Sequence, residues 1–247
     1  MIAVSSPVKA PPADNPLLIG KGLPPFEAIE PGHVVPGIEQ LLSDLGASLT
    51  ALEVALEQRL EASKSISWDS LVTPLTAITE RLGWSWGIIG HLMGVKNSAE
   101  LRDAYESVQP ALVQFSNKIS QSQVIYKGLK QLREREDWPA LAAAQQRIVD
   151  AALRDAELSG VGLTGDVRDR FNEIQQSLAE LSTQFSNHVL DATKAFSLTL
   201  TTEDEVAGLP PSLLSLTAQA ARDAGAEAAT AASGPWRITL DMPSYVP

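Results

Sequence analysis

The chain has 247 residues, 44% of them apolar and 20% charged, which is enough to bury a sizeable core in one large domain or two small ones. Nineteen basic against thirty acidic residues leave a net charge of −11, and no run of Lys or Arg stands out. That balance argues against a nucleic-acid partner, whose phosphates need clustered cations. With no cysteine in the chain, disulfides, thiolate nucleophiles and cysteine-ligated zinc are excluded. No apolar run reaches the roughly 18–20 residues that cross a bilayer, so no membrane role is expected.

Residues 1–14 are rich in Ala, Pro, Ser and Val and lack the compact apolar stretch of a secretory signal. They read as a disordered tail, with a short organellar address as the alternative. Pro16, Pro24, Pro25, Pro31 and Pro36 then mark residues 15–36 as an extended segment. Proline lacks a backbone donor and pushes the preceding residue out of helical geometry. Phe26 and Ile29 are the expected anchors of this segment on a helical body.

Helical spacing takes over from residue 37. Ile38, Leu41, Leu45, Leu49, Leu52, Leu56 and Leu60 step by three and four and form one apolar stripe. Ser67 is placed to cap a second helix, with Asp69 near its positive end. That helix carries Trp68, Leu71, Leu75, Ile78, Leu82, Trp86 and Ile89; Pro74 predicts a kink or a late start. A third stripe runs through Leu101, Tyr105, Val108, Leu112, Phe115 and Ile119 and can continue to Tyr126 and Leu129, with Pro110 as an interruption. Asp137 is the expected cap of a fourth helix, with Pro139 in its first turn and Leu141, Ile148 and Ala152 facing inward. Gly160, Gly162 and Gly165 punctuate a loop.

The longest regular stripe covers about residues 166–194: Phe171, Ile174, Leu178, Leu181, Phe185, Val189 and Ala192. A helix of that length spans roughly 40 Å, and its apolar face is strong enough to drive packing against another helix. After Lys194 the period changes to two. Phe196, Leu198 and Leu200 alternate with polar residues, as do Trp236, Ile238 and Leu240, which predicts a pair of strands. Ser212 to Arg222 reads as a helix between them, and Ala224 to Gly234 as a flexible loop. The fold class expected is mainly α, an irregular multi-helix bundle with a small C-terminal antiparallel β-hairpin. Its parts are a tail (1–14), an extended segment (15–36), a helical lobe (37–194) and a strand–helix–strand segment (195–247).

The residue inventory is poor in chemistry. A zinc hydrolase of the His-Glu-x-x-His type sets two imidazoles one helical turn apart, with a glutamate between them to activate the bound water. The histidines here are His33, His91 and His188, and they are followed by Val34, Leu92 and Val189. No two lie four residues apart. His188 and Asp191 are three apart, but two ligands make a poor metal site, and a surface ion pair is the simpler reading. His91 reads as a half-buried, hydrogen-bonded histidine, and His33 as a lone turn residue. There is no Gly-x-Ser-x-Gly elbow and no phosphate loop. The carboxylates fall on outward helix positions, and the Trp and Tyr residues fall within the stripes as core. No catalytic, cofactor-binding or metal-binding residue is therefore assigned to this chain.

Several runs carry a family resemblance. They are Leu82-Gly83-Trp84-Ser85-Trp86-Gly87, His91 through Arg102, Arg170-Phe171-Asn172-Glu173-Ile174-Gln175, Gln184 through Thr193, Glu205 through Pro210, and Leu240 through Tyr245. Asn15-Pro16-Leu17-Leu18 and Leu23-Pro24-Pro25-Phe26 fit the same pattern. In order and content these runs resemble the N-terminal region of the thimet-oligopeptidase-like zinc metallopeptidases, from about residue 15 to 247. The resemblance implies the N-terminal lobe of a two-lobed, largely helical enzyme that admits short peptides to a deep channel. It places the zinc ligands and catalytic glutamate in a C-terminal half that this sequence does not contain. It thus carries over no catalytic residue, and implies a fragment inactive by itself, one zinc ion in the full-length enzyme, short peptides and the C-terminal catalytic region as partners, and a cytoplasmic location. A non-catalytic helical module that binds proteins or peptides is the alternative. On the fragment reading, surface facing the missing lobe should be unusually apolar, with self-association or partial disorder near residues 195–247.

Overall fold

The computed structural model describes residues 15–246; the expected tail, 1–14, lies outside them. The chain divides into two compact units, one ending at Glu180 and one beginning at Leu181.

The first unit is helical. Its α-helices are α1 (Val34–Glu61), α2 (Trp68–Val95), α3 (Ala99–Ser120), α4 (Gln123–Arg133), α5 (Ala143–Leu158) and the first half of α6 (Gly165–Ala195). Helix α1 is central and packs against α2, α3 and α4, while α5 packs on α4. The α1 stripe behaves as its spacing demands: Ile38, Leu41, Leu45, Leu49, Leu52 and Leu56 are all buried. Leu71, Ile78, Ile89, Val108, Leu112, Phe115, Ile125 and Leu129 complete one continuous core. Trp86 stacks on Tyr105 with ring centroids 4.3 Å apart, so these aromatics serve packing.

Ser67 caps α2 as expected, accepting from the Ser70 N–H at 3.2 Å. Pro74 and Pro110 lie inside continuous helices and neither delays nor ends one. Each forgoes one backbone bond, and the packed stripes on either side hold the helix together. The third stripe does not continue into Tyr126. Gln121 ends α3, and Ser122 caps the separate α4 through the Ile125 N–H.

Residues 15–33 are less extended than the prolines suggest. They form short 3₁₀ turns at Pro16–Leu18, Phe26–Ala28 and Pro31–His33, and α1 starts at Val34. Ile29 is a buried anchor, but Phe26 is exposed, and the deepest anchor is Leu17. Ser85 Oγ donates to the Leu17 carbonyl at 2.7 Å and Trp84 Nε1 to that of Gly22 at 3.1 Å, tying the segment to α2.

In the fourth helical region one expectation fails and one holds in part. Asp137 caps no α-helix, because the Arg135 guanidinium beside it takes its carboxylate and holds its pKa below the usual range. The helix starts later, where Gln145 Oε1 accepts from the Ala142 N–H at 3.0 Å. Leu141 and Ala152 pack against the core as expected, joined by Val149, Leu153 and Ala156, but Ile148 is half exposed.

In the second unit, β1 (Leu198–Leu200) pairs antiparallel with β2 (Trp236–Ile238), Leu200 opposite Trp236. The two strands form a ribbon with a long connection, which contains α7 (Pro211–Asp223); α7 packs on β2 and on the short α8 (Met242–Tyr245). Trp236, Val206 and Ala218 form the small core, with Leu200, Leu209 and Leu214 against it. The stretch 224–234 is more ordered than a flexible loop. Thr230 and Gly234 form a bridge, Ala229 is buried, and Arg222 Nη1 donates to the Ala229 carbonyl at 2.6 Å. Glu205 braces the turn after β1 by accepting from the Thr201 and Thr202 N–H groups at 2.8 and 3.0 Å. Those bonds favour the carboxylate and hold its pKa below the ordinary value.

Candidate functional site

The three histidines are far from one another in role. His33 ends a 3₁₀ turn, where its Nδ1 accepts from the Glu30 N–H at 3.1 Å. His91 lies on α2 and is exposed rather than half-buried; its ring leans on Phe26 with centroids 5.3 Å apart. The N-terminal segment supplies that aromatic neighbour, so the histidine packs by its face. His188 and Asp191 are both exposed on α6. Among the described residues, no three His, Cys, Asp or Glu side chains are grouped to hold a metal ion. The donor set therefore does not fit a zinc ion, and no metal chemistry is derived from these residues.

Two features of α6 are more informative. First, its apolar stripe faces solvent. Ile174, Leu178, Leu181, Phe185 and Val189 are all exposed, Phe185 to 70%. The stripe was expected to pack on another helix; Phe171 at its start is half-buried, but among the described residues nothing covers the other five. Asn172, Gln175, Gln176, Ala179 and Thr183 are among the buried or half-buried positions instead. The helix turns its polar side inward because α3 offers carboxamides there. Gln109 Nε2 donates to the Ala179 carbonyl at 3.3 Å, and Asn172 Oδ1 accepts from Asn117 Nδ2 at 3.2 Å and Gln121 Nε2 at 2.8 Å.

Second, α3 and the start of α6 enclose an open cleft of about 720 Å³. Carboxamides line both sides of it: Gln114, Asn117 and Gln121 from the α3 side, Asn172 and Gln176 from α6. Lys118 and Arg168 also line it, against Glu53, Asp169 and Glu173, so carboxylates are in slight excess. Sequence reasoning did not single out these amides. The signal was their helical spacing, three and four apart on α3 and four apart on α6, but polar residues at that spacing ordinarily mark a solvated face.

The chain is a helical lobe that leaves the Ile174–Val189 face of α6 exposed and, among the described residues, groups no metal ligands. Its sequence places it: residues 38–168 match the family model for the neurolysin/thimet oligopeptidase N-terminal domain, and the chain belongs to that family. Among individual relatives, a probable cytosolic oligopeptidase A of Arabidopsis thaliana is 48% identical over 95% of this chain and 32% of its own length. The chloroplastic/mitochondrial organellar oligopeptidase A of the same plant is 47% identical over 95% of this chain and 29% of its own length. Oligopeptidase A of Escherichia coli is 40% identical over 94% of this chain and 32% of its own length. The chain thus spans about a third of the length of the curated relatives it matches. Among the described residues, no helix is long and apolar enough to cross a membrane.

Proposed function

We propose that this chain is the N-terminal part of a zinc metallo-oligopeptidase that hydrolyses short peptides, and that it builds one wall of the substrate channel. The observation that carries this reading is the α6 stripe. A helix whose polar side packs inward and whose apolar side meets water is suited to receive a further layer of protein. The relatives are named oligopeptidase A and are about three times as long as the matched region, which is consistent with such a layer. In this reading the His-Glu-x-x-His helix, the zinc ion and the catalytic glutamate belong to the C-terminal catalytic region, which is the partner of this lobe. Alone, the chain is inactive. Short peptides are the substrates, and the net charge of −11 makes nucleic acid a poor partner. The name of the probable cytosolic relative supports a cytoplasmic location.

The test compares two polypeptides: the 247-residue chain, and a product extended to the relatives' length by the downstream reading frame. The short chain should bind no stoichiometric zinc and leave a quenched-fluorescence peptide intact. The long one should bind about one zinc and cleave the peptide, and lose activity to a chelator. Metal-dependent cleavage by the purified short chain would overturn the proposal. So would a downstream frame without a His-Glu-x-x-His segment.

A further inference from the structure

We infer that the carboxamide cleft between α3 and α6 binds an extended peptide segment through its backbone, with little regard for side-chain sequence. This goes beyond the role proposed above, since it assigns this lobe a peptide site of its own that needs neither zinc nor the rest of the enzyme.

Three observations carry it. The first is chemical. A carboxamide presents N–H donors and a C=O acceptor that match the C=O and N–H of a peptide unit, so a row of Asn and Gln side chains can pair with a peptide backbone whatever its side chains are. The cleft carries such a row on each wall, Gln114, Asn117 and Gln121 facing Asn172 and Gln176.

The second is that the row is held in place while part of its bonding capacity stays open. Asn172 Oδ1 takes bonds from Asn117 and Gln121, and Gln121 Nε2 also donates to the Ser159 carbonyl at 3.0 Å. Those bonds fix three of the side chains before any ligand arrives, which lowers the entropy lost on binding. They leave the Asn172 amide nitrogen and the Asn117 and Gln121 amide oxygens without a protein partner among the described residues, and Gln114 makes no bond there at all.

The third is size. From Gln114 to Gln121 the helix rises about 10 Å, the length of about three residues of extended peptide at ~3.3 Å each. A volume of about 720 Å³ falls in the range of small-ligand sites, roughly 300–1,000 Å³. Three carboxylates against two cations in the lining leave a neutral peptide acceptable and an acidic one at a slight disadvantage.

The experiment uses the 247-residue chain with a chelator present, so that binding is read apart from hydrolysis. Fluorescence anisotropy follows a labelled six-residue Ala/Ser/Thr peptide, a reordered version, and a version N-methylated at alternate residues. Saturable binding is expected, similar for the first two and at least tenfold weaker for the N-methylated peptide, which lacks backbone donors. Gln114→Ala and Gln176→Ala together should weaken binding tenfold or more with circular dichroism unchanged, because neither residue joins the bonds that hold Asn172. Amide hydrogen exchange should slow at residues 113–121 and 168–176 on binding. The inference is overturned by absence of saturable binding at millimolar peptide, by equal affinity for the N-methylated peptide, by no effect of the double substitution, or by protection confined to other segments. Cleavage assays on the extended polypeptide are unaffected by any of these outcomes, so the two proposals fail separately.

Discussion

Leu112 and Leu178 are the same residue type on neighbouring helices of one compact unit, and their truncation to alanine separates a buried face from an uncovered one. Leu112 on α3 is 5% exposed and sits in the main core, whereas Leu178 on α6 is 52% exposed. Truncating a buried leucine costs about 2–5 kcal/mol, the transfer term plus the cavity left behind. At Leu178 only about half of a burial worth roughly 1.5–3 kcal/mol is present, and water fills the space, so the cost is about 0.7–1.5 kcal/mol. Urea unfolding followed by circular dichroism reads the difference. With a slope of about 2 kcal/mol/M, Leu112→Ala should lower the midpoint by about 1–2.5 M and Leu178→Ala by less than about 0.8 M. In a polypeptide extended to the relatives' length, the Leu178→Ala cost should rise towards the buried value, because the added protein covers the stripe. Equal midpoint shifts for the two variants in the short chain would refute the assignment of an uncovered face. A Leu178→Ala cost that stays unchanged in the long protein would refute its role in docking.

Gly37 and Gly46 lie on the same helix and should respond to alanine with opposite signs. A Cβ on Gly37 would meet Asn15 Nδ2 at 2.8 Å, displacing a buried side chain that donates to the His33 carbonyl and accepts from the Leu17 N–H. A net loss of about 1–2 kcal/mol is expected in the melting curve. A Cβ on Gly46 meets nothing within 4 Å, so Gly46→Ala should gain about 0.5–1 kcal/mol; the same sign at both sites would refute the close-contact account. Glu205 has a pKa lowered by the Thr201 and Thr202 donors, so its stabilising effect is present above the unfolded value, about 4.3, and is lost as pH falls through the lower folded value. Glu205→Gln should therefore weaken the turn after β1 at neutral pH, with the difference from the parent vanishing in acid. A carboxyl titration by NMR at or above the ordinary glutamate value would contradict this.

Much of the fold is legible in the sequence, for reasons that separate residue by residue. The α1 stripe steps by three and four without a polar intruder, and every member from Ile38 to Leu56 is buried. Ser67 reads as a cap because no neighbour competes for its hydroxyl except Ser70, which completes the same capping arrangement. Asp137 misleads because Arg135, two residues before it, is a stronger partner than a helix end. The α6 stripe misleads in a different way. Periodicity shows that a helix has an apolar face, but not that the same chain supplies something to cover it. The cleft was not legible at all, since Asn117, Gln121 and Asn172 matter only once α3 and α6 face each other. The shortage of chemistry was plain from three scattered histidines and no cysteine.

The inversion of α6 also has a magnitude. Ile174, Leu178, Leu181, Phe185 and Val189 each retain between two-fifths and seven-tenths of their exposure. Covering them would recover roughly 1 kcal/mol apiece, on the order of 5 kcal/mol for the stripe, which is comparable with the whole stability of a small domain. A helix on the outside of a finished protein does not ordinarily leave that much unclaimed, because its heptads would aggregate before they contributed anything. On the polar side, the neutral hydrogen bonds that tie this face to α3 are each worth about 1 kcal/mol net. Carboxamide bonding thus holds one side of α6, and on the reading proposed above the free energy of the other side would be realised when further protein folds against it.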